Sequence, residues 1–262
     1  MYNKIETLLH WVVMLTDPMA SFEVYNVIPI NLFGLDLSIT NSAIFMFISV
    51  FLILCIFIIG TIDRGLIPNK IQIITEKTLG LIGSIVQTNI KSDISKLFPY
   101  MCSLFFFIVF GNVLGLFPFA FSFTSQLVVT FGLAFAVFLT SIVIGFCKKG
   151  LGYFKHFCPH GIPSYIIPFF IVIEIMSFFF RPISLGIRLF ANIVSGHLII
   201  KVIAGFAILL AGAAVTSPFV IIPIIVNVLL NIFKLAVCLL QAYVFVVLSC
   251  IYLSESLDVS TD

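Results

Sequence analysis

The sequence predicts an all-α integral membrane protein with about five membrane helices and one interfacial amphipathic helix. Its last two helices are expected to be long and steeply tilted. Three observations predict this class. Of 262 residues, 61% are hydrophobic and only 9% are charged, with a mean hydropathy of +1.27. Soluble domains carry about 25% charged residues. Several apolar runs reach the roughly 20 residues that a membrane helix needs. The last two runs are longer still and carry polar residues at helical spacing. A net charge of +2 gives no reason to expect a nucleic-acid partner. The 31 phenylalanines suit lipid contact, and no cofactor is expected. Cys55, Cys102, Cys147, Cys158, Cys238 and Cys250 lie mostly in apolar runs and form no disulfide pattern.

The elements follow in order. Residues 1–38 form an N-terminal segment, outside or at the interface. Met1 to Asp17 lacks a basic start plus apolar core, so no cleavable signal peptide is expected. One membrane domain then covers 39–255. Its first span is Ile39–Ile62, ended by Asp63-Arg64-Gly65. Residues 66–97 mix Lys70, Glu76, Lys77, Lys91, Asp93 and Lys96 with periodic apolar positions, which reads as the interfacial helix. A second span, 98–117, ends at Pro118, and the uncharged turn Ala120–Ser125 leads to a third, 126–146. Basic residues and Gly/Pro breakers follow. Two further apolar helices cover 163–201 and 218–253, joined by an apolar link, and 256–262 form a tail. Eight of the 13 Lys and Arg residues fall in the loops 63–97 and 148–162. The positive-inside rule therefore puts those loops inside and the N-terminus outside.

The last two helices exceed any simple span. Residues 163–201 would measure roughly 58 Å as one helix, against a hydrocarbon core of about 30 Å. An average tilt of about 20° does not absorb this excess. The helix must break near Pro182 or lie steeply inclined. With polar faces, both helices are expected to line protein or a water-filled cavity.

Their polar residues carry the chemistry. Glu174, Arg181 and Arg188 recur every seven residues, nearly two turns, so they share one face, and Asn192 joins it. Arg188 lies far from either helix end, so snorkelling cannot relieve it. Arginine at a bilayer centre costs about 2.5–3.5 kcal/mol on insertion scales. Ion paths, proton relays and counter-ions are functions that justify such a cost. On the last helix, Asn227, Asn231, Lys234 and Gln241 form one polar stripe, with Asn192, His197 and Arg188 as expected partners. His197 turns away from the Arg188 face and fits a separate cavity near Lys201. Glu174 reads either as a proton carrier or as a partner of Arg181. Asn227 and Asn231 read as interhelical hydrogen-bond glue. His156-Phe-Cys158-Pro-His160 has metal-ligand residue types, but its two-residue spacing and Pro159 argue against a closed site, so no metal is expected. There is no nucleophile–base pair and no phosphate-binding glycine loop, so the chain alone should not hydrolyse ATP.

Three motifs in order carry a resemblance. Arg181-Pro-Ile-Ser-Leu-Gly-Ile-Arg188-Leu-Phe-Ala-Asn192-Ile-Val-Ser-Gly-His197 is the longest. Leu240-Gln241-Ala-Tyr243-Val-Phe lies in the last helix, and Gly111-Asn112-Val-Leu-Gly115-Leu-Phe-Pro118 with Thr124-Ser125 in an earlier hairpin. The chain resembles the a subunit of F-type ATP synthases, also called ATPase subunit 6, over most of residues 25–255. The resemblance implies a stator whose last two helices form a hairpin against a rotating ring of c subunits. Each c subunit carries a membrane-embedded carboxylate, and two aqueous half-channels end at the ring. It implies that Arg188 is the family's ring-facing arginine and blocks a direct leak. Glu174 corresponds to the acid of the inside half-channel, and His197 to the histidine near the outside one. Gln241 corresponds to the glutamine facing the arginine, and Asn192 to the asparagine one turn after it. Peripheral-stalk subunits, other membrane subunits and lipids are implied partners, and protons the transported ion. Lys234 departs from the pattern, because relatives commonly carry Glu or His seven residues before the glutamine. It reads either as a proton-exchanging neutral amine or as a structural cation, and it argues against sodium as the coupling ion.

The alternative reading is a proton-coupled secondary transporter, although the internal repeats common in such proteins are not found. A purely structural assembly subunit is a third. The expected location is the mitochondrial inner membrane, with the bacterial cytoplasmic membrane as the alternative.

Overall fold

A computed structural model describes residues 22–29, 31–32, 35–36, 38–62, 68, 70–90, 94–117, 120–150, 153, 167–213 and 221–258. The segment 1–21, the stop at 63–65, the His156–His160 group, the apolar link after 213 and the tail after 258 lie outside them.

Chain order begins with four short strands that the sequence does not announce. β1 (Asn26–Ile28) pairs antiparallel with β4 (Ile39–Thr40), and β2 (Asn31–Leu32) with β3 (Leu35–Asp36). Strands of two or three residues are too short to show a two-residue alternation. They hand over directly to α1 (Asn41–Ile62). Thr40 Oγ1 accepts from the Ala43 N–H at 3.3 Å, as an N-cap does. The Asn41 side chain donates to the Glu23 carbonyl at 3.1 Å and the Asn41 N–H to the Tyr25 carbonyl at 3.2 Å.

The remaining helices are α2 (Lys70–Asn89), α3 (Ile94–Leu116), α4 (Leu127–Lys149), α5 (Ile167–Ala213) and α6 (Ile221–Asp258). A 3-10 turn, Phe123–Ser125, precedes α4. Among the described residues, five of the six helices, all but α2, are long and apolar enough to cross a membrane, so the chain is an integral membrane protein. α2 exposes Glu76 and Lys77, but Ile82 and Val86 are fully buried against the bundle. Its apolar face therefore meets α1, α3 and α6 rather than lipid alone. α3 begins four residues earlier than the expected span. Pro99 lies near its start and removes one N–H, which does not end the helix.

α5 resolves the choice posed by its length. It runs unbroken through Pro182 and continues twelve residues past Lys201, 47 in all. At 1.5 Å per residue it is about 70 Å long, so it must lie steeply inclined in a core about 30 Å thick. The 38-residue α6 is about 57 Å long by the same measure. Arg181 meets Glu255, and Gly196 packs on Lys234, so the two helices run antiparallel.

The core gathers Ile82, Val86, Met101 and Ile108 with Leu185 and Leu189 of α5 and Phe245, Val246, Cys250 and Leu253 of α6. Glycine lets the turn at 122–125 close on α3. A Cβ at Gly111 would sit 2.5 Å from the Phe123 ring, and one at Gly115 would sit 2.6 Å from Ser122 Oγ. The turn's own groups are satisfied locally: the Ser125 N–H donates to the Ser122 carbonyl at 3.0 Å and the Gln126 N–H to the Phe123 carbonyl at 3.1 Å.

Candidate functional site

Helical geometry sets three stations along α5. Leu185 and Leu189 are buried, so Arg188, between them in sequence, is turned outward. Among the described residues Arg188 has no hydrogen bond and no ion pair. Its surroundings on α5 are small or apolar and exposed: Ser184, Ile187 and Ala191. On α6, Leu239, Leu240 and Tyr243 are also exposed. A charge is thus presented on an apolar helical surface. The contacts Arg181–Glu255 and Gly196–Lys234 fix the register of the helix pair. Between them, Arg188 lies level with α6 about one turn from Gln241. Gln241 itself is buried, and its Nε2 has no protein partner; the same holds for Nδ2 of Asn192.

The second station precedes Arg188 in sequence. Arg181 is ion-paired and hydrogen-bonded to Glu255 through Nη1, and its Nη2 lies 3.7 Å from Glu174 Oε1. Its guanidinium stands 5.6 Å from the Tyr252 ring centre, within cation–π range. A small cavity beside it is lined by Phe138, Ser141, Phe178, Pro182 and Tyr252. Glu174 lies here on the Arg181 face, as expected, and shares its arginine with Glu255. Glu255 lies 74 positions away, and only the tertiary register reveals the pairing. Tyr153 packs over Gly145, and burial holds its phenol above the usual value of 10.0, opposed by Arg181 and assisted by Glu255.

The third station follows Arg188. His197 lies on the opposite side of α5, as its nine-residue offset requires. Lys234 and Lys201 both act on it electrostatically. The Lys234 side chain lies along Gly196, where a Cβ would meet its Cε at 3.1 Å. Lys234 is 7% exposed and has neither a hydrogen bond nor an ion pair among the described residues. A Cβ at Gly115 would come 3.4 Å from His197 Nε2. The hairpin motif and the histidine therefore meet in space. Asn112 of α3 donates to the Cys238 carbonyl at 3.4 Å, between Lys234 and Gln241 in sequence.

The polar stripe of α6 divides. Lys234 and Gln241 are buried, whereas Asn231 is exposed and donates to the Asn227 carbonyl of its own helix at 3.0 Å. The expected interhelical role is corrected for Asn231, whose amide satisfies the backbone of its own helix, while Asn227 Oδ1 is buried with no partner among the described residues.

Fold and site define a polytopic membrane protein with two polar clusters on either side of an outward arginine that has no partner among the described residues. Its sequence relations agree. Residues 43–254 match the model of the ATP synthase A chain family. The ATP synthase subunit a of Chelativorans sp. (strain BNC1) is 42% identical over 245 residues, covering 93% of this chain and 98% of that relative. The subunit a of Sinorhizobium fredii is 43% identical over 244 residues (93% and 98%), and that of Pelagibacter ubique 41% over 246 (94% and 99%). The chain belongs to the ATP synthase A chain family, the proton-translocating stator subunit of F-type ATP synthase, and its partners lie in the membrane part of that complex.

Proposed function

We propose that Arg188 separates two aqueous half-channels that meet a ring of c subunits. One observation carries this reading. Arg188 projects from an apolar surface with no counter-ion among the described residues. A cation so placed calls for an anion supplied by another protein. A c-subunit carboxylate is such an anion. It passes Arg188 in charged form, because a neighbouring guanidinium stabilises the anion, and it takes up a proton beyond. Guanidinium does not give up its own proton in proteins, so it also blocks direct passage between the two sides.

Glu174, with Arg181 and Glu255 beside it, lines the inside half-channel. His197 and Lys234 line the outside one. Asn192 and Gln241 support the passage between them. Their buried amide nitrogens without protein partners favour this, since such groups require water or a transient acceptor. A proton crossing the field contributes about 2.3 kcal/mol per 100 mV, which drives rotation.

In this reading residues 39–255 form one membrane domain, with 1–38 outside and 256–262 as the inner tail. The subunit does no ATP chemistry itself. Its other partners are the peripheral stalk and lipids. The alphaproteobacterial relatives favour a bacterial cytoplasmic membrane, and the Phe-rich composition favours the mitochondrial inner membrane; fractionation of the source cell decides.

The test is ATP-driven proton pumping in vesicles carrying Arg188→Ala, with passive leak recorded after the catalytic head is removed. Lost pumping with leak retained or raised is expected. Normal pumping would end the stator mechanism and favour a secondary transporter.

A further inference from the structure

Residues 22–25, just before β1, have no part in the proposed proton path, yet they are fastened over its His197 end. Three contacts hold them. Gln126 Nε2, at the start of α4, donates to the Phe22 carbonyl at 2.9 Å. Asn41, at the start of α1, holds the Glu23 carbonyl at 3.1 Å through its side chain and the Tyr25 carbonyl at 3.2 Å through its N–H. The backbone is therefore pinned to two helix starts.

Pinning fixes where the Phe22 ring lies. Its edge-to-face partner is the His197 imidazole, with ring centres 6.0 Å apart and an angle of 84° between planes. Lys201 Nζ lies 5.4 Å from the same ring centre. One aromatic ring thus contacts two basic groups of α5, one turn apart. A ring face attracts a cation, and a ring edge packs against an imidazole face. Lys234 completes the basic group from α6, acting on His197 together with Lys201.

We propose that Phe22 is a positioning residue for the outer half-channel: a ring on a tethered strap that holds His197 and Lys201 in register with Lys234. This rests on the assignment of His197 to that half-channel. It adds that the N-terminal strap is part of the proton path's geometry, and that ring chemistry rather than bulk is what matters.

The experiment uses vesicles carrying the whole assembled synthase. ATP-driven pumping is normalised to the amount of complex on native gels. Phe22→Tyr keeps the ring, Phe22→Leu keeps most of the volume, and Phe22→Ala removes both. Loss of the ring should lower pumping per assembled complex about fivefold in both Phe22→Leu and Phe22→Ala, and Phe22→Tyr should stay within about twofold of the parent. Gln126→Leu, which keeps the ring but cuts its tether, should fall in between. It also gives a reading where Phe22→Ala lowers assembly. Parent-like pumping by Phe22→Leu, or Phe22→Tyr as poor as Phe22→Ala, overturns the proposal. His197→Ala separates the two readings. If it pumps normally, the outer path itself is wrong and the strap's role falls with it. If His197→Ala is inactive while Phe22→Leu pumps as the parent does, only the strap is refuted.

Discussion

Replacing Gly111 with alanine should loosen the protein, although the same change at Gly80 should not. Both glycines lie inside helices, so helix propensity alone favours alanine at each by about 0.5–1 kcal/mol. Their surroundings differ. An added Cβ at Gly80 meets nothing within 4 Å. At Gly111 it would lie 2.5 Å from Cζ and 3.0 Å from Cε2 of Phe123, and 2.9 Å from Cγ2 of Thr124. Carbon atoms prefer about 3.5–4.0 Å, so each contact is short by roughly half to one ångström. Neither neighbour can retreat easily: Phe123 and Thr124 are both fully buried, and hydrogen bonds from the Ser125 and Gln126 N–H groups close their turn. Overpacking of this kind costs about 1–3 kcal/mol. The propensity gain is common to both, so the two substitutions should differ by about 1–3 kcal/mol, with Gly111→Ala the less stable. The assay heats the detergent-solubilised complex and follows the fraction of this subunit that stays in the native band. Gly111→Ala should melt below the parent and Gly80→Ala at or above it. Equal melting of the two variants would refute the reasoning, since only the turn distinguishes them.

Removing the Arg181 partners should matter unequally. Glu255→Gln should cost about 1–2 kcal/mol, below the range for fully buried pairs because Glu255 is 39% exposed, and the weaker contact of Glu174 should make Glu174→Gln cost less than about 1 kcal/mol. The same heating assay ranks them, and the reverse order counts against the geometry. Lys234→Met should separate stability from function: replacing a buried cation that has no counter-ion among the described residues by an apolar chain of similar length should leave melting unchanged or raise it, while proton pumping falls at least tenfold. A parallel loss of both would make Lys234 a structural cation instead.

Local pattern announced much of this protein. The apolar runs gave five spans because a helix satisfies its own backbone in lipid and must then be long and apolar. The seven-residue spacing of Glu174, Arg181 and Arg188 placed them on one face, since spacing determines direction on a helix. What the sequence withheld depends on contacts between distant segments. Glu255 meets Arg181 only through the register of α5 against α6. Phe22 reaches His197 from a segment whose strands are too short to show a period. The buried face of α2 looks the same in sequence whether it meets lipid or protein, and only packing decides. Pro182 is ambiguous for a different reason: a lost backbone bond breaks a helix only when packing on either side does not hold it straight, and Phe178 before it and Leu185 after it are both buried.

The outward position of Arg188 also bears on biogenesis. A newly inserted copy that has not met its partner presents a bare guanidinium to hydrocarbon, at about 2.5–3.5 kcal/mol on insertion scales. If Arg188 meets the c-ring as proposed, assembly ends that exposure, and the orphaned chain and the incorporated chain then differ in a feature that a membrane protease can sense. Unassembled copies should then be short-lived in a pulse–chase experiment, and Arg188→Leu should lengthen their survival even as it abolishes work by the finished machine. The residue proposed to separate the half-channels would also limit how long a spare part persists.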